Sequence, residues 1–334
     1  MCIRDRSQWV KFANSLRLRL AIRVSMSAPD LARAEVAKAM DATAGGVLES
    51  ADETVAVSTE SGYKNPLGTV NEGWGEVFMG ATMESVLVGY NDPRLIKYYS
   101  KAEGGDIKDE KGNLIIAERN KIAGTYKGVP QGTGVTVKDE NRYRLHSKST
   151  ITKQTDAILM TAAEVWFLRA EAALRGFTSE NVKDCYEKGI TVSCQQWGVN
   201  VGDYLTSDAT PSDYVDAFEA KYDVKALIKV TPKWDGGASP EEQLERILTQ
   251  KWIACYPEGY EAWTEQRRTG YPQLFKVFVN NSGGAIDTNI RIRRLPYPSD
   301  IQKNNPTQYS ALKKALGGED NGGTRLWWDT GRNF

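Results

Sequence analysis

The run QKWIACYPEGYEAWTEQRRTGYP (250–272) carries Glu258, Glu261 and Glu265 at spacings of three and four, a density of carboxylates that could serve glycoside hydrolysis. The same run supplies counter-charges. Glu265 stands three residues before Arg268, and Glu261 six and seven before Arg267 and Arg268. Residues three or four apart share a helix face, so these spacings favour an ion-pair cluster that fixes the segment over an acid–base pair. The one histidine, His146 in RYRLHSKST, excludes a multi-histidine metal site and argues against histidine-based catalysis. It reads as a surface or structural residue. The glycine-rich GVPQGTG (128–134) lacks the Lys-Ser/Thr of a phosphate-binding loop and opens no helix. Cys2, Cys185, Cys194 and Cys255 form no CxxC pair, and Cys185 and Cys194 lie on one helical pattern too far apart to be bridged. All four are expected as free thiols. No metal and no cofactor is implied.

Binding chemistry is better represented than catalytic chemistry. Tyr63, Trp74, Tyr126 and Tyr143 lie in a Gly- and Asn-rich region, and Trp74 is flanked by Gly73 and Gly75, which would let a flat ligand approach its ring. A sugar packs its C–H face on an aromatic ring while amide, carboxylate and guanidinium groups take its hydroxyls. Asn71 and Arg142, with Asn65 beside them, are suitable types. The six residues Trp74, Tyr63, Tyr126, Tyr143, Asn71 and Arg142 are therefore the expected ligand-binding set. The competing reading is that these aromatics only pin down a long loop. Trp9, Trp166, Trp252 and Trp263 fall within helical patterns and are expected in the core. Of the adjacent Trp327 and Trp328, at least one should anchor the C-terminus.

Lys plus Arg and Asp plus Glu number 43 each, and this neutrality gives no reason to expect a nucleic acid partner. No apolar run is long enough to span a membrane. The chain opens MCIRDR without an apolar signal segment and passes directly into a helical pattern. That opening reads as a truncated chain whose first six residues need not be native.

The elements that must position these groups are mostly helices. A first helix is expected over Gln8–Met26, with Trp9, Phe12, Leu16, Leu20 and Val24 on its buried face and Arg17, Arg19 and Arg23 on its polar one. A second, Asp30–Met40, packs back on it after Pro29, and Gly45 and Gly46 end the pair. Region 49–150 is loop-rich, with short helices at Ala81–Val88 and Pro93–Tyr98 and strand-like stretches at Asn113–Glu118 and Gly134–Lys138. A hundred residues of irregular chain inside a folded domain usually carry function. Helical patterning returns at Asp156 and ends at Gly176. Thr178 or Ser179 can cap the next helix, Glu180–Trp197, and another is expected over Pro211–Tyr222. Ser239-Pro240-Glu241-Glu242 is a capping box opening Glu241–Tyr256. Glu258–Arg268 follows, then a strand over Asn289–Leu295 and a last helix from Asn305-Pro306 to Gly317. The expectation is a single mainly α domain (1–334) in three parts: a helix pair (7–48), a loop-rich ligand-side insertion (49–150) and a helical part (151–334). Its helix pairs resemble tetratricopeptide repeats, with a few short β-hairpins.

Several segments, in order, resemble one family. WVKFANSLRLRLAIRVS (9–25), NDPRL (91–95), EVWFLRAEAALRG (164–176), YEKGI (186–190), the run 250–272, RRLPYPSD (293–300), NNP (304–306) and WWD (327–329) are similar to SusD/RagB proteins of the SusD-like group. The resemblance covers nearly the whole chain and corresponds to the middle and C-terminal parts of a family member. It implies tetratricopeptide-like helix pairs on one side and an irregular ligand-bearing half on the other. It also implies a cell-surface lipoprotein of the bacterial outer membrane that captures glycan, or in some members peptide, and passes it to a SusC-like TonB-dependent transporter. Cys2 is not the family's lipid-bearing cysteine, because no apolar signal precedes it; the anchor would lie outside this sequence. The resemblance implies no catalytic residue. A helical glycoside hydrolase and a tetratricopeptide scaffold for protein partners are the alternatives.

Overall fold

Local signals start most of the helices where expected. In the computed structural model, which describes residues 6–117, 122–134 and 142–334, Ser239 and Glu242 form the reciprocal capping box, with Pro240 in the first turn. Thr161 accepts from the Glu164 amide at 3.1 Å, and Asn181 from the Asp184 amide at 3.1 Å. Asn181, rather than Thr178 or Ser179, therefore caps its helix. The helices are α1 (Arg6–Arg23), α2 (Pro29–Ala39), α3 (Pro66–Thr69), α4 (Ala81–Gly89), α5 (Leu95–Tyr98), α6 (Ala162–Leu174), α7 (Val182–Gln196), α8 (Pro240–Ala254), α9 (Gly259–Thr269), α10 (Ser299–Asn304) and α11 (Pro306–Leu316). The strands are β1 (Val55–Val57), β2 (Ile107–Lys108), β3 (Leu114–Ile116) and β4 (Ala157–Met160), paired antiparallel as β1–β4 and β2–β3. The mainly α architecture with a few short strands is as expected.

Antiparallel helix pairs build the scaffold. α1 packs on α2 and α6, α6 on α7 and α8, and α8 on α9. Gly189 in α7 sits against the Phe167 ring of α6, where a Cβ would lie 2.9 Å from ring carbons, so glycine sets the closeness of that pair. The main core runs from Leu18 and Ile22 through Val86, Tyr98, Phe167, Leu168, Tyr186 and Ile190 to Ile247 and Ile253. Cys185, Cys194 and Cys255 are buried free thiols; Cys2 lies outside the described residues.

Three expectations are corrected. First, α1 buries Asn14, Ser15, Leu18, Ala21 and Ile22, while Trp9 and Leu20 are 53% and 54% exposed. The helix carries two apolar stripes, and the one with the small residues packs inward. Second, Pro211–Tyr222 is not a helix. The Asp216 carboxylate takes the Phe218 and Glu219 amides and Tyr214 pairs with Val224, so side-chain and bridge bonds replace the helical ladder, leaving a single 3₁₀ turn at Ala220–Tyr222. Third, Asn289–Leu295 is not a strand. Asp287 caps the Asn289 and Ile290 amides, and Arg291 adopts φ 61°. The strand expected at Gly134–Lys138 lies outside the described residues from position 135 onward, as does Glu118 at the end of the stretch containing β3.

The loop half is tied to the scaffold at α4. Here a Cβ on Gly89 would lie 2.2 Å from the Ser212 nitrogen and 2.6 Å from Pro211 backbone atoms. Ala gains about 1 kcal/mol over Gly inside a helix, but overpacking against immovable backbone costs about 1–3 kcal/mol or more. The clash wins. Gly89→Ala is expected to lower stability by about 2 kcal/mol, measured by urea unfolding; an unchanged or raised midpoint would contradict the close approach.

Candidate functional site

The carboxylates of the 250–272 run are consumed by the scaffold. Glu261 in α9 receives Arg23 of α1 at 2.7 Å and Lys251 of α8 at 3.0 Å, not Arg267 or Arg268. Glu265 pairs with Arg268 at 2.6 Å, and Arg268 also takes Glu171 of α6 at 2.7 Å. Arg19 reaches Glu164 at 2.5 Å. Arg19 and Arg23, expected on a polar surface, are thus half-buried cross-links between α1, α6 and α9. Burial opposes the charge of Glu261, but Lys251 and Arg23 outweigh it and hold the carboxyl at about 2. Glu265 is held well below the usual carboxylate range by Arg268, Lys251 and Arg23, again against burial.

Glu258 differs. Burial, reinforced by the charge of Glu164, raises it to about 8, and Arg19 at 3.4 Å only partly offsets this. A carboxyl raised in the folded state contributes stability that is complete below its unfolded value near 4.5 and is lost as pH rises through about 8. Glu258→Gln keeps the neutral form at every pH. The variant's melting temperature is therefore expected to gain on the wild type progressively from pH 5 to pH 9; a constant difference across that range would contradict the raised value.

Glu258 borders a cleft of about 800 Å³. One wall comes from the segment around α3 and the start of α4: Leu67, Val77, Phe78 and Met83. Further lining comes from Trp252 of α8, Tyr256 between α8 and α9, Trp263 and Gln266 of α9, and residues of the segments 274–279 and 280–292. Aromatic and aliphatic groups dominate. Gln131, Asn281 and Arg291 add a few polar side chains, the composition of a small-molecule site, and Asn280 is held by Ile286, Thr288 and Ser282. Among the described residues its acidic side chains are Glu258, the raised carboxyl that stands 3.4 Å from Arg19, and Asp287, whose Oδ1 accepts the Asn289 and Ile290 amides. Trp263 is fixed by its indole N–H to the Ile292 carbonyl at 3.2 Å and by Arg267 stacked 3.6 Å from its ring centroid. Trp252 and Trp263 are thus half-buried walls; Trp252 also packs against the main core, as expected, whereas Trp263 does not.

The six residues singled out from sequence do not converge. Trp74 ends a π-helical turn (Val70–Trp74) and is 58% exposed; Tyr63 is 38% exposed. Both belong to the segment leading into the cleft wall, yet neither lines the cleft. Tyr126 is half-buried against the main core. Tyr143 is 1% exposed and packs edge-on against His146 and Phe218, so its ring is no ligand platform. Asn71 spends its amide on the Ser149 and Ile151 carbonyls at 2.7 and 2.8 Å. Arg142 is ion-paired with Glu219. Asn65 caps α3 by accepting the Leu67 amide. His146 is buried with Nδ1 2.8 Å from the Gly128 carbonyl, a structural role. Sequence reasoning missed the cleft because its walls come from segments about 200 residues apart; the dense aromatics of 252–263 were the available signal.

Trp327 is exposed, and Trp328 is held between Arg23 and Arg267, 5.9 and 5.0 Å from its ring centroid, the anchoring expected of the pair.

The family model described as Susd and RagB outer membrane lipoprotein matches residues 4–329. A SusD homolog from Bacteroides vulgatus is 52% identical, with a TM-score of 0.89 over 98% of this chain and 64% of its own. A chitin-binding SusD homolog from Flavobacterium johnsoniae is 37% identical, with a TM-score of 0.87 over 98% and 65%. A third, from Bacteroides thetaiotaomicron, is 34% identical, with a TM-score of 0.84 over 96% and 65%. The chain thus spans just under two thirds of the length of these structures. No curated protein matches it. Among the described residues no helix is long and apolar enough to cross a membrane.

Proposed function

This chain belongs to the SusD-like family of outer membrane lipoproteins, and on that premise we propose that it captures oligosaccharide without turning it over. The observation that carries the proposal is the 800 Å³ cleft, walled by aromatics and furnished with a few amide and guanidinium groups. Aromatic faces pack sugar C–H groups, while Gln131, Asn281 and Arg291 offer hydroxyl partners. The chitin-binding relative supports a saccharide over a peptide as ligand. Trp74 and Tyr63, exposed on the segment that continues into the cleft wall, serve as an outer platform. In this reading the protein sits at the outer-membrane surface through a lipid anchor and hands its ligand to a SusC-like TonB-dependent transporter. Co-purification with such a transporter from outer membranes tests that partnership.

Binding by the cleft is tested with Trp263→Leu and Trp74→Ala. Losing one stacking ring costs about 1.4 kcal/mol or more, a tenfold drop in affinity. Trp263→Leu is expected to weaken oligosaccharide binding at least about tenfold, and Trp74→Ala severalfold with an unchanged melting temperature. Calorimetric titration reads both. Full affinity in a folded Trp263→Leu variant would remove the cleft from the account.

A further inference from the structure

A second cavity, about 470 Å³, lies directly behind the first and shares Gln266, Leu274, Thr288 and Arg291 with it. Its chemistry is different. Arg268, Lys276, Arg291, Arg293 and Arg325 line it, and among the described residues no Asp or Glu does. Three of these cations are compensated from outside the cavity. Arg268 is neutralised by Glu171 and Glu265, while Arg293 and Arg325 share the single carboxylate of Asp329. Lys276 and Arg291 have no carboxylate within ion-pair distance among the described residues. Asp287, the nearest acid in sequence to Arg291, spends its carboxylate on the Asn289 and Ile290 amides. Among the described residues the Arg291 guanidinium bonds only neutral groups, the Gln131 side chain and the Phe275 carbonyl. It does so from a left-handed backbone at φ 61°, a conformation that costs free energy for a non-glycine residue and persists where surrounding structure imposes it. Burial without a counter-charge lowers its proton affinity, so a bound anion would restore what the fold withholds.

We propose that this cavity takes the oxyanion of an acidic saccharide, a carboxylate or sulfate, whose sugar ring lies in the adjoining cleft. Arg291, on the shared wall, holds the anion from one side; Lys276 and Arg325 hold it from the other, with Gln273, Thr288 and Asn289 as neutral hydrogen-bonding groups. The inference rests on the saccharide-capture reading and deepens it, by naming the substituent that the site selects.

The test is calorimetric titration of the full chain at low ionic strength with digalacturonate, a sulfated disaccharide and their neutral counterparts, with inorganic sulfate as a further probe. Lys276→Gln and Arg325→Gln alter exposed side chains, and their melting temperatures establish that the fold is kept. At least one acidic disaccharide is expected to bind about tenfold or more tightly than its neutral counterpart. Lys276→Gln and the double variant should erase that preference while leaving neutral binding as it was. The more tightly bound acid, together with the response to inorganic sulfate, identifies the oxyanion. Equal affinity for acidic and neutral sugars, or a preference that survives in the folded double variant, overturns the assignment. Neutral binding without acidic preference sinks this inference alone, whereas no saccharide binding of any kind sinks the capture reading with it.

Discussion

Lys251→Met is expected to destabilise the protein by about 3–5 kcal/mol at neutral pH, the cost of stripping one partner from a buried ion cluster. The Lys251 ammonium is 1% exposed and stands 3.0 Å from Glu261, 3.4 Å from Glu265 and 3.8 Å from Glu164. Methionine fills the volume but leaves those three carboxylates facing one another with only the peripheral arginines to balance them. The effect has a pH signature. Glu261 is held at about 2, so its contribution is present above its unfolded value near 4.5 and disappears as pH falls toward 2. Losing Lys251 removes part of that contribution, and the deficit of the variant should therefore shrink in acid. Urea unfolding at pH 7 and pH 3.5 reads both points. A loss below about 1 kcal/mol at pH 7 would place this cluster with exposed, solvated ion pairs.

The second large effect is expected at Arg94, which is fully buried. Its guanidinium grips Asp92 at 2.9 and 2.6 Å, Ser193 of α7 at 3.0 Å and Gln250 of α8 at 2.8 Å. Tyr204 donates to the same Asp92 carboxylate at 2.7 Å. One side chain therefore fastens the turn between α4 and α5 to two scaffold helices. Arg94→Met orphans the Asp92 charge and should also cost about 3–5 kcal/mol. Removing both charges leaves no orphan, so Asp92→Asn combined with Arg94→Met should be more stable than Arg94→Met alone. The reverse order would show that lost packing, not lost charge pairing, dominates at this position.

These clusters show what sequence could and could not convey. Caps, breakers and periodicity are local, and Ser239-Pro240, Gly176 and Asn305-Pro306 mark helix ends within a residue or two of where they fall. Which face of α1 goes inward is not local. It is decided by α2 and α6 and by Glu164 and Glu261, 145 and 238 residues away from Arg19 and Arg23. The segment 211–222 has helical composition, yet Asp216 caps a turn there because its backbone meets Ser85 and Val224. The candidate site divides the same way. Glycines beside Trp74 did signal an exposed ring, whereas Tyr143, in equally polar sequence, is enclosed by Phe218 and His146 from distant or folded-back chain. The cleft as a whole is not local, since Phe78, Gln131, Trp263 and Arg291 meet only in the fold, and the aromatics of 252–263 mark just one of its walls.

The central claim is capture without turnover. It is tested most directly by equilibrating the purified protein with a panel of defined oligosaccharides and peptides, then releasing the bound fraction and reading its mass. The account predicts that saccharide is retained in preference to peptide and is released at its original chain length, however long the incubation. Shortened saccharide in the released or free fraction, or retention of peptides alone, would contradict it.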